Sequence, residues 1–467
     1  MPSNSRLIPL IIASALFMEN MDSTVIATSL PAIAADLGTD AIVLKLAFTT
    51  YLLSLTIFVP VSGWCADRFG ARHVFRAAIV VFTLGSIACG AAQSLGGLVA
   101  ARALQGVGGA MMVPVGRIIL LRSIPKSQLV DALAWLTVPA LIGPLVGPPV
   151  GGFITTYFDW RWVFWMNVPF GVAAVVFATT MMPETGTDHV PPLDVKGFLL
   201  SGLGLSSTVF GLTVAGRDLL PVHGPQALIG FGAILLFLYV RHARAVPDPI
   251  LDFRLLRIET FRAGVLGGSL FRVGVGAVPF LTPLLFQLGF GMSAFQSGVL
   301  TCAAAAGAIS MKFPAARLIR HFGFRRLLLV NGVLASVSIA ALALLSPSTS
   351  FALVILLLFC GGFLRSLQFT AMNAMSYADI DNAAMSHATS LYTVAQHLSL
   401  SAGVALAAFV LEMAQARSGD LTLAVADFAA AFIVVALFAV SSVMNFTGLG
   451  HDAGAAVSGR PSRPLDE

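Results

Sequence analysis

Residues 63–75 read GWCADRFGARHVF, a short basic segment between two long apolar runs. Residues 315–328, far along the chain, read AARLIRHFGFRRLL and again lie between apolar runs. Both segments contain the pattern Phe-Gly-x-Arg, as Phe69-Gly70-x-Arg72 and as Phe322-Gly323-x-Arg325. The match is short, but it falls at the same position in each half of the pattern of apolar runs, which indicates an internal repeat.

The apolar runs themselves place the chain in a membrane. Of 467 residues, 57% are hydrophobic and 10% are charged, whereas an ordinary soluble domain carries about 25% charged residues. Runs of about 20 apolar residues, the length that crosses a bilayer as a helix, recur from Arg6 to Leu449. We therefore predict an all-α, multi-pass membrane protein without a separate catalytic domain, whose first apolar run is a span rather than a signal peptide.

The spacing of the runs predicts about fourteen membrane helices in the order six, two, six. The predicted spans are roughly 7–33, 43–64, 75–92, 97–120, 130–155, 162–181, 198–215, 225–243, 261–288, 293–313, 326–345, 350–376, 388–414 and 424–446. The corresponding domains are an N-terminal six-helix bundle, two inserted helices with their linkers, a C-terminal six-helix bundle and a polar tail, at 1–181, 182–260, 261–446 and 447–467.

Basic residues are concentrated in loops on one side of the predicted spans. Arg68, Arg72 and Arg76 follow the second span, whereas loops on the other side, such as 38–41 and 346–350, carry few positive charges. The positive-inside rule therefore predicts that both termini lie in the cytoplasm. The same rule accounts for the net charge of +5, so we expect no nucleic-acid partner.

Four patterns of fixed spacing lie in the first half. The first span contains D-x-T-x(6)-P-x-I from Asp22 to Ile33, and residues 63–72 fit G-x(3)-D-R-x-G-x-R. The fourth span contains R-x-x-Q-G-x-G-G-A from Arg102 to Ala110. The fifth span contains G-P-x-x-G-P-x-x-G-G, at Gly143, Pro144, Gly147, Pro148, Gly151 and Gly152.

With these patterns, and with WRWVFWMNVPFG at 160–171, the chain resembles the major facilitator superfamily, in particular its fourteen-span drug:proton antiporter branch and the MdtD-like multidrug exporters. The resemblance implies two six-helix bundles with two inserted helices, and proton-coupled export of lipophilic or amphiphilic small molecules by alternating access. We expect a monomer in the bacterial cytoplasmic (inner) membrane, with protons as the coupling ion and no cofactor or metal. The chain departs from the family pattern at Ala71, where a basic residue is usual, and at Gln396-His397, where many relatives carry Arg-Gln.

Glu19 and Asp22 lie three residues apart on one face of an apolar helix. Acids in membrane helices are costly, and they mark proton or substrate pathways. Because two neighbouring carboxylates disfavour each other's charge, we expect at least one of them to hold a proton. Arg102, near the middle of the fourth span, is a candidate partner that can change the proton affinity of such an acid. A purely structural tie between these spans is the alternative.

Arg272 and Arg365 are intramembrane charges of the second half without acidic neighbours in sequence. Facing a central cavity, they would favour anionic substrates, whereas Glu19 and Asp22 would favour cationic ones, so the sequence leaves the substrate's charge open. Polar side chains that could line the same cavity are Gln287, Gln368, Asn373, Gln396 and His397.

The other motif residues are predicted to control conformation. The loop between spans two and three, with a basic residue of span four, is predicted to be a latch that closes in the outward-facing state, although a solvated turn would fit as well. Its residues are Gly63, Asp67, Arg68, Gly70, Arg72 and Arg117. The small residues of the fifth span let another helix approach closely, and we expect that helix to belong to the opposite half.

Two other functions compete with proton-coupled export. An exporter of a small metabolite or a metal-chelate organic anion would use Arg272 and Arg365. An ion channel is disfavoured because the sequence has no repeated selectivity ring. An enzyme is disfavoured because the sequence has no H-E-x-x-H, nucleophile elbow or paired metal ligands.

Overall fold

The computed structural model describes residues 4–123, 129–182, 192–214, 221, 223–247, 249–381, 384–418 and 423–450, with the backbone alone at 4–7, 121–122, 129–141, 386 and 418. Secondary structure in these ranges is helical, without a strand. Two predicted polar segments fall largely outside them, namely 183–191 of the first linker and 451–467 of the tail.

The chain divides into two compact units, Met1–Ile250 with Ser293–Val299, and Leu251–Met292 with Leu300–Glu467. The helices before residue 250 are α1 (Asn4–Asp36), α2 (Lys45–Phe69), α3 (Ala71–Gly90), α4 (Leu95–Ser123), α5 (Leu129–Tyr157), α6 (Trp162–Trp165), α7 (Asn167–Met181), α8 (Val195–Val214) and α9 (Gly224–Ala245). Those that follow are α10 (Glu259–Leu284), α11 (Ala294–Ser310), α12 (Ala315–Phe322), α13 (Phe324–Ala340), α14 (Phe351–Ser376), α15 (Met385–Ser418), α16 (Val425–Ser441) and α17 (Met444–Thr447).

Twelve helices in the described ranges are long and apolar enough to cross a bilayer, or up to thirteen if the bent pair of α11 and α12 is one span. The predicted all-α membrane architecture is confirmed, whereas the predicted number of fourteen spans is not. The predicted tenth span, 293–313, ends early because the chain bends by 59° between α11 and α12. Pro314 is the residue immediately before α12, and proline disfavours helical continuation of the residues that precede it.

The repeated Phe-Gly pattern forms a similar backbone turn in both units. α2 is separated from α3, and α12 from α13, by a single residue. These residues, Gly70 and Gly323, have φ values of +85° and +72°. A side chain at such a φ would cost about 1–3 kcal/mol, so glycine is what allows the second helix to follow the first without a loop.

Of the two inserted helices, α8 packs against α2, and α9 packs against α8. α8 contacts α2 through Phe198 and Phe58, whose ring centroids lie 5.8 Å apart. Large apolar side chains remain exposed on α9, among them Phe231, Ile234 and Phe237. An apolar face of this kind is stable against hydrocarbon, so we infer that α9 faces lipid.

The apolar core of the first unit is built mainly from α1, α2, α3, α4 and α7. Phe75, Phe82 and Met112 are fully buried in it. Polar side chains of α1, α3, α4 and α7 are also buried in this unit, where each of them needs a partner. These side chains form the site described below.

Candidate functional site

Glycines of α4 set its distance to α2 and α3. A Cβ added at Gly106 would lie 2.6 Å from the Cβ of Ser54 in α2, and a Cβ at Gly108 would collide with the backbone of α3. Protein interiors do not accommodate such overlaps. The glycines therefore allow α4 to pack closely on both neighbours, which buries the two preceding polar residues of the motif, Arg102 and Gln105.

Arg102 and Asp22 form a buried ion pair between α4 and α1. The Nη1 atom of Arg102 donates to Oδ2 of Asp22 at 2.5 Å, and the two side chains are 1% and 0% exposed. A lone arginine at this depth would cost at least about 2.5 kcal/mol, and the carboxylate offsets that cost. The structure therefore brings together the two residues that the sequence proposed as partners.

The other carboxylate oxygen of Asp22 accepts two more hydrogen bonds. Gln105 Nε2 and Asn167 Nδ2 donate to Oδ1 at 2.8 Å and 3.0 Å. Both amides also donate to the hydroxyl oxygen of Ser86 in α3, at 2.7 Å and 3.3 Å. All three partners of Asp22 in the described ranges are donors, which stabilise its charged form, so a proton competes with them for this carboxylate.

Gln105, Asn167 and Ser86 belong to the site although the sequence did not predict them as site residues. The signal for Gln105 and Asn167 was their residue type, because an amide in an apolar membrane helix needs a partner. Ser86 gave no such signal, since a helical serine can bond to a carbonyl of its own helix.

Arg102 has further contacts around its guanidinium group. Nε donates to the carbonyl oxygen of Ala47 at 3.4 Å, and Nη1 donates to Oε1 of Gln105 at 2.5 Å. The Cζ atom lies 4.3 Å from the ring centroid of Tyr51, a cation–π contact worth about 2 kcal/mol when desolvated. Because arginine does not release its proton, Arg102 is a fixed positive charge beside Asp22.

Glu19 lies one turn before Asp22 on α1 and has a different environment. Its Oε2 atom is buried and has no hydrogen-bond partner among the residues that the structure describes. Its charge interacts with those of Asp22 and of Arg117 in α4. Glu19 can therefore take up a proton at Oε2 without competing with a donor, in contrast to Asp22, whose two oxygens both accept hydrogen bonds.

Three glycines of the fifth-span motif form one face of α5. Gly143, Gly147 and Gly151 are spaced four residues apart, and each lies against residues 17–28 of α1. The prediction that this face meets a helix of the opposite half is wrong for these three glycines, because α1 belongs to the same unit. The close approach places α5 directly beside the part of α1 that carries Glu19 and Asp22.

Other residues of the same motif face a second neighbour. Gly152 lies against the backbone of Ala294 and Phe295, and the carbonyl of Pro148 lies against Gly298. These contacts are with α11, which the sequence places in the opposite half, although Ser293–Val299 pack as part of the first unit. The motif thus has two packing faces, one for α1 and one for the first turns of α11.

The predicted latch residues lie near the end of α2, at the start of α3 and, in the case of Arg117, in the second half of α4. Arg72 donates to the carbonyl oxygen of Thr179, which ties the start of α3 to the end of α7. Arg68 and Arg117 are exposed. The role of these residues and of Gly63 and Asp67 as a latch stays a prediction.

In the second unit, Arg272 of α10 is fully buried. Its Nη2 atom donates to the hydroxyl oxygen of Tyr392 in α15 and, at 3.4 Å, to Oδ1 of Asn373 in α14. The Tyr392 hydroxyl in turn donates to the same Oδ1 at 2.5 Å. The Cζ atom of Arg272 lies 4.5 Å and 5.7 Å from the ring centroids of Tyr392 and Phe369.

The other predicted cavity residues have varied environments. Gln368 is fully buried, and both ends of its amide are bonded to α13. Arg365 is buried with 8% exposure, and the Nδ1 atom of His397 is buried without a partner in the described ranges. A substrate-binding role for these residues, and for Gln287 and Gln396, stays a prediction.

Comparison with known proteins identifies the class to which this fold belongs. Residues 12–404 match the Major Facilitator Superfamily. The chain is 36% identical over 404 residues to a protein of Pectobacterium carotovorum subsp. carotovorum named for multidrug resistance, MdtD, with 86% of each chain covered. It is 36% identical over 420 residues to MdtD of Salmonella heidelberg, with 88% of each covered. The chain belongs to the Major Facilitator Superfamily, and it is a multi-pass membrane transporter rather than an enzyme.

Solved structures of transporters share the fold. A D-xylose–proton symporter matches with a TM-score of 0.69 at 16% identity, over 96% of this chain and 98% of that one. The POT family transporter PepTSo matches with a TM-score of 0.70 at 15% identity, over 95% and 97%. At these identities the likeness concerns the fold alone.

Proposed function

We propose that the protein is a proton-coupled multidrug exporter, which exchanges protons for lipophilic or amphiphilic small molecules by alternating access. The relatives named for multidrug resistance support this substrate class. The observation that carries the proton coupling is the buried pair of Asp22 and Arg102, held within a network of donors. An acid that can exchange its fixed cationic partner for a proton has two states, which is what coupling requires.

The coupling step is a competition between Arg102 and a proton for Asp22. Protonation removes the negative charge that holds the guanidinium, and Arg102 must then turn to its remaining acceptors, Oε1 of Gln105 and the carbonyl of Ala47. That shift changes the contact between α4 and α1. Because α1 also packs tightly against α5, a movement of α1 would also displace α5, although the proton binds to α1.

Glu19 supports a transfer in two stages. Its buried, unpartnered oxygen can accept a proton first, one helical turn from Asp22. The proton can then pass to Asp22, and this transfer releases Arg102. In this scheme Glu19 receives the proton, and Asp22 converts its arrival into a change of packing.

The proposal includes the surroundings of the protein. We expect a monomer in the bacterial cytoplasmic membrane, with both termini in the cytoplasm, protons as the coupling ion and no cofactor. Exposed arginines at the ends of helices support this orientation, since such residues favour the cytoplasmic side. They are Arg68, Arg317 and Arg320.

Everted membrane vesicles with a respiration-driven proton gradient and a pH-sensitive dye test the proposal. Cationic, neutral and anionic amphiphiles are added one at a time, and proton release is followed as recovery of dye fluorescence. We expect at least one compound to release protons in vesicles with the wild-type protein and none to do so with Asp22→Asn.

The matched control is Asp36→Asn, which makes the same chemical change on the same helix. Asp36 is 43% exposed and pairs with Arg161 outside the network, so this variant should retain proton release. Wild-type proton release by Asp22→Asn at equal protein level would refute the mechanism. Failure of every compound with the wild-type protein would refute proton-coupled export.

A further inference from the structure

Arg272 is a buried cation whose hydrogen-bonding capacity is only partly used. A guanidinium group has five N–H donors, and within the described ranges only the Nη2 atom has acceptors, the oxygens of Tyr392 and Asn373. Nε and Nη1 are buried and have no hydrogen-bond partner among the described residues. Buried donors in proteins are almost always bonded, so the free N–H groups indicate that an acceptor is missing.

The charge of Arg272 also has no counterion among the described residues of its unit. Arg102 in the first unit is paired with Asp22, whereas no carboxylate in the described part of the second unit forms an ion pair with Arg272. The aromatic rings of Tyr392 and Phe369 compensate in part through cation–π contacts. A buried charge without an opposite charge is unfavourable, and a bound anion would relieve it.

The neighbours of Arg272 are arranged to receive such an anion. The Oδ1 atom of Asn373 accepts from both Arg272 and the Tyr392 hydroxyl, so an uncharged oxygen occupies the place where a charged one would bind more strongly. Asn373 is exposed, while Arg272 and Tyr392 are buried. The cluster can therefore be reached from the side of Asn373, by rotation of that side chain.

We propose that Arg272, Tyr392 and Asn373 form a binding site for a carboxylate group of the exported molecule, so that its substrates include amphiphiles that carry a carboxylate. One carboxylate oxygen would replace Oδ1 of Asn373 and accept from Arg272 and Tyr392. The second would accept from the rotated amide of Asn373 or from a free N–H of Arg272. One buried cation matches the single charge of a carboxylate. That this ligand is transported rests on the proposed function, whereas the binding site itself does not.

Direct binding to the purified, full-length protein in detergent tests the site. The probes are 11-(dansylamino)undecanoate and its methyl ester, which share the fluorophore and the apolar chain and differ in the carboxylate. We expect the wild-type protein to bind the acid at least about tenfold more tightly than the ester. Arg272→Met should weaken binding of the acid by about 30-fold or more and leave the ester unchanged.

Two further variants separate a local effect from a general one. Arg326→Met removes an exposed positive charge from the same unit and should bind both probes as the wild-type protein does. Tyr392→Phe keeps the guanidinium and the ring but removes one donor, so it should weaken binding of the acid alone, by about fivefold. If Arg272→Met fails to fold, Tyr392→Phe decides the question.

Equal affinity of the wild-type protein for acid and ester would overturn the proposal, as would unchanged binding of the acid by Arg272→Met or, where that variant misfolds, by Tyr392→Phe. Failure of the proposed function would give a different combination of binding and transport results. A protein that selects the acid but moves no protons with any compound has the carboxylate site without proton coupling. Proton-coupled export by a protein that does not prefer the acid retains the function without this site.

Discussion

Asp22→Asn should destabilise the first unit because it leaves Arg102 charged and unpaired in the interior. The acceptors that remain for Arg102 are Oε1 of Gln105, at 2.5 Å, the carbonyl of Ala47, at 3.4 Å, and the oxygen of the new amide, and all three are uncharged. The new amide would also direct N–H groups toward donors of Gln105 or Asn167. Removing one partner of a buried ion pair typically costs about 3–5 kcal/mol.

The converse variant, Arg102→Met, should cost less. Asp22 keeps two amide donors and can bind a proton, whereas a guanidinium cannot lose one. We expect a decrease of about 1–3 kcal/mol in the free energy of unfolding. The double variant removes both charges, and buried pairs replaced by neutral groups are often as stable as the original. It should therefore be more stable than Asp22→Asn by about 2 kcal/mol or more.

Equilibrium unfolding in mixed micelles, followed by tryptophan fluorescence, measures these differences. The control cycle is Asp36→Asn with Arg161→Met, an ion pair of 2.8 Å whose side chains are 43% and 22% exposed. Exposed pairs contribute at most about 1 kcal/mol, so the control cycle should show little coupling. If the double variant of Asp22 and Arg102 is no more stable than Asp22→Asn, the unpaired charge of Arg102 is not what destabilises Asp22→Asn.

Two other predictions concern single contacts, and a third concerns the orientation of the C-terminus. Asn167→Leu removes a donor to Asp22 and should lower the free energy of unfolding by about 1–3 kcal/mol, measured in the same micelles. Gly147→Leu should reduce the yield of folded protein in size-exclusion chromatography, because a side chain there meets Thr24 in α1, whereas Gly230→Leu, where no atom lies within 4 Å, should not. A fluorescent protein fused after residue 450 should be fluorescent and alkaline phosphatase fused there inactive, because we expect a cytoplasmic C-terminus.

The ion pair of the first unit was predictable because both partners are unusual in their surroundings. An aspartate and an arginine within apolar spans must each find an opposite charge, so Asp22 and Arg102 predict each other across 80 positions. Asn167, Ser86 and Tyr392 were not predicted, since uncharged side chains can be satisfied in many ways. Their roles depend on which helices lie side by side.

The neighbours of a helix face could not be derived from spacing alone. The four-residue interval of Gly143, Gly147 and Gly151 predicts a smooth face that accepts a closely packed helix, but it contains no information about which helix that is. The structure assigns α1 to this face. The bend after α11 was equally hidden, because 293–313 is apolar enough to resemble an unbroken span.

Arg102 and Arg272, the two fully buried arginines of the described ranges, differ in a way that indicates different functions. Arg102 is neutralised by Asp22, so a proton can disturb it, whereas Arg272 has uncharged acceptors, so an anion can bind to it. This contrast predicts how transport depends on membrane potential. If one carboxylate leaves the cell for each proton that enters, two positive charges move inward per cycle, and each is worth about 2.3 kcal/mol per 100 mV. A singly charged cation exchanged for one proton would move none.

Collapsing the potential of everted vesicles with valinomycin and potassium, at constant pH difference, separates these cases. Export of 11-(dansylamino)undecanoate should slow markedly, because most of the driving force for an exchange that moves two charges comes from the potential. Export of a cationic amphiphile should change little under the same treatment. If the carboxylate is exported at the same rate with and without a potential, it does not travel as an anion, and Arg272 cannot be the residue that selects it.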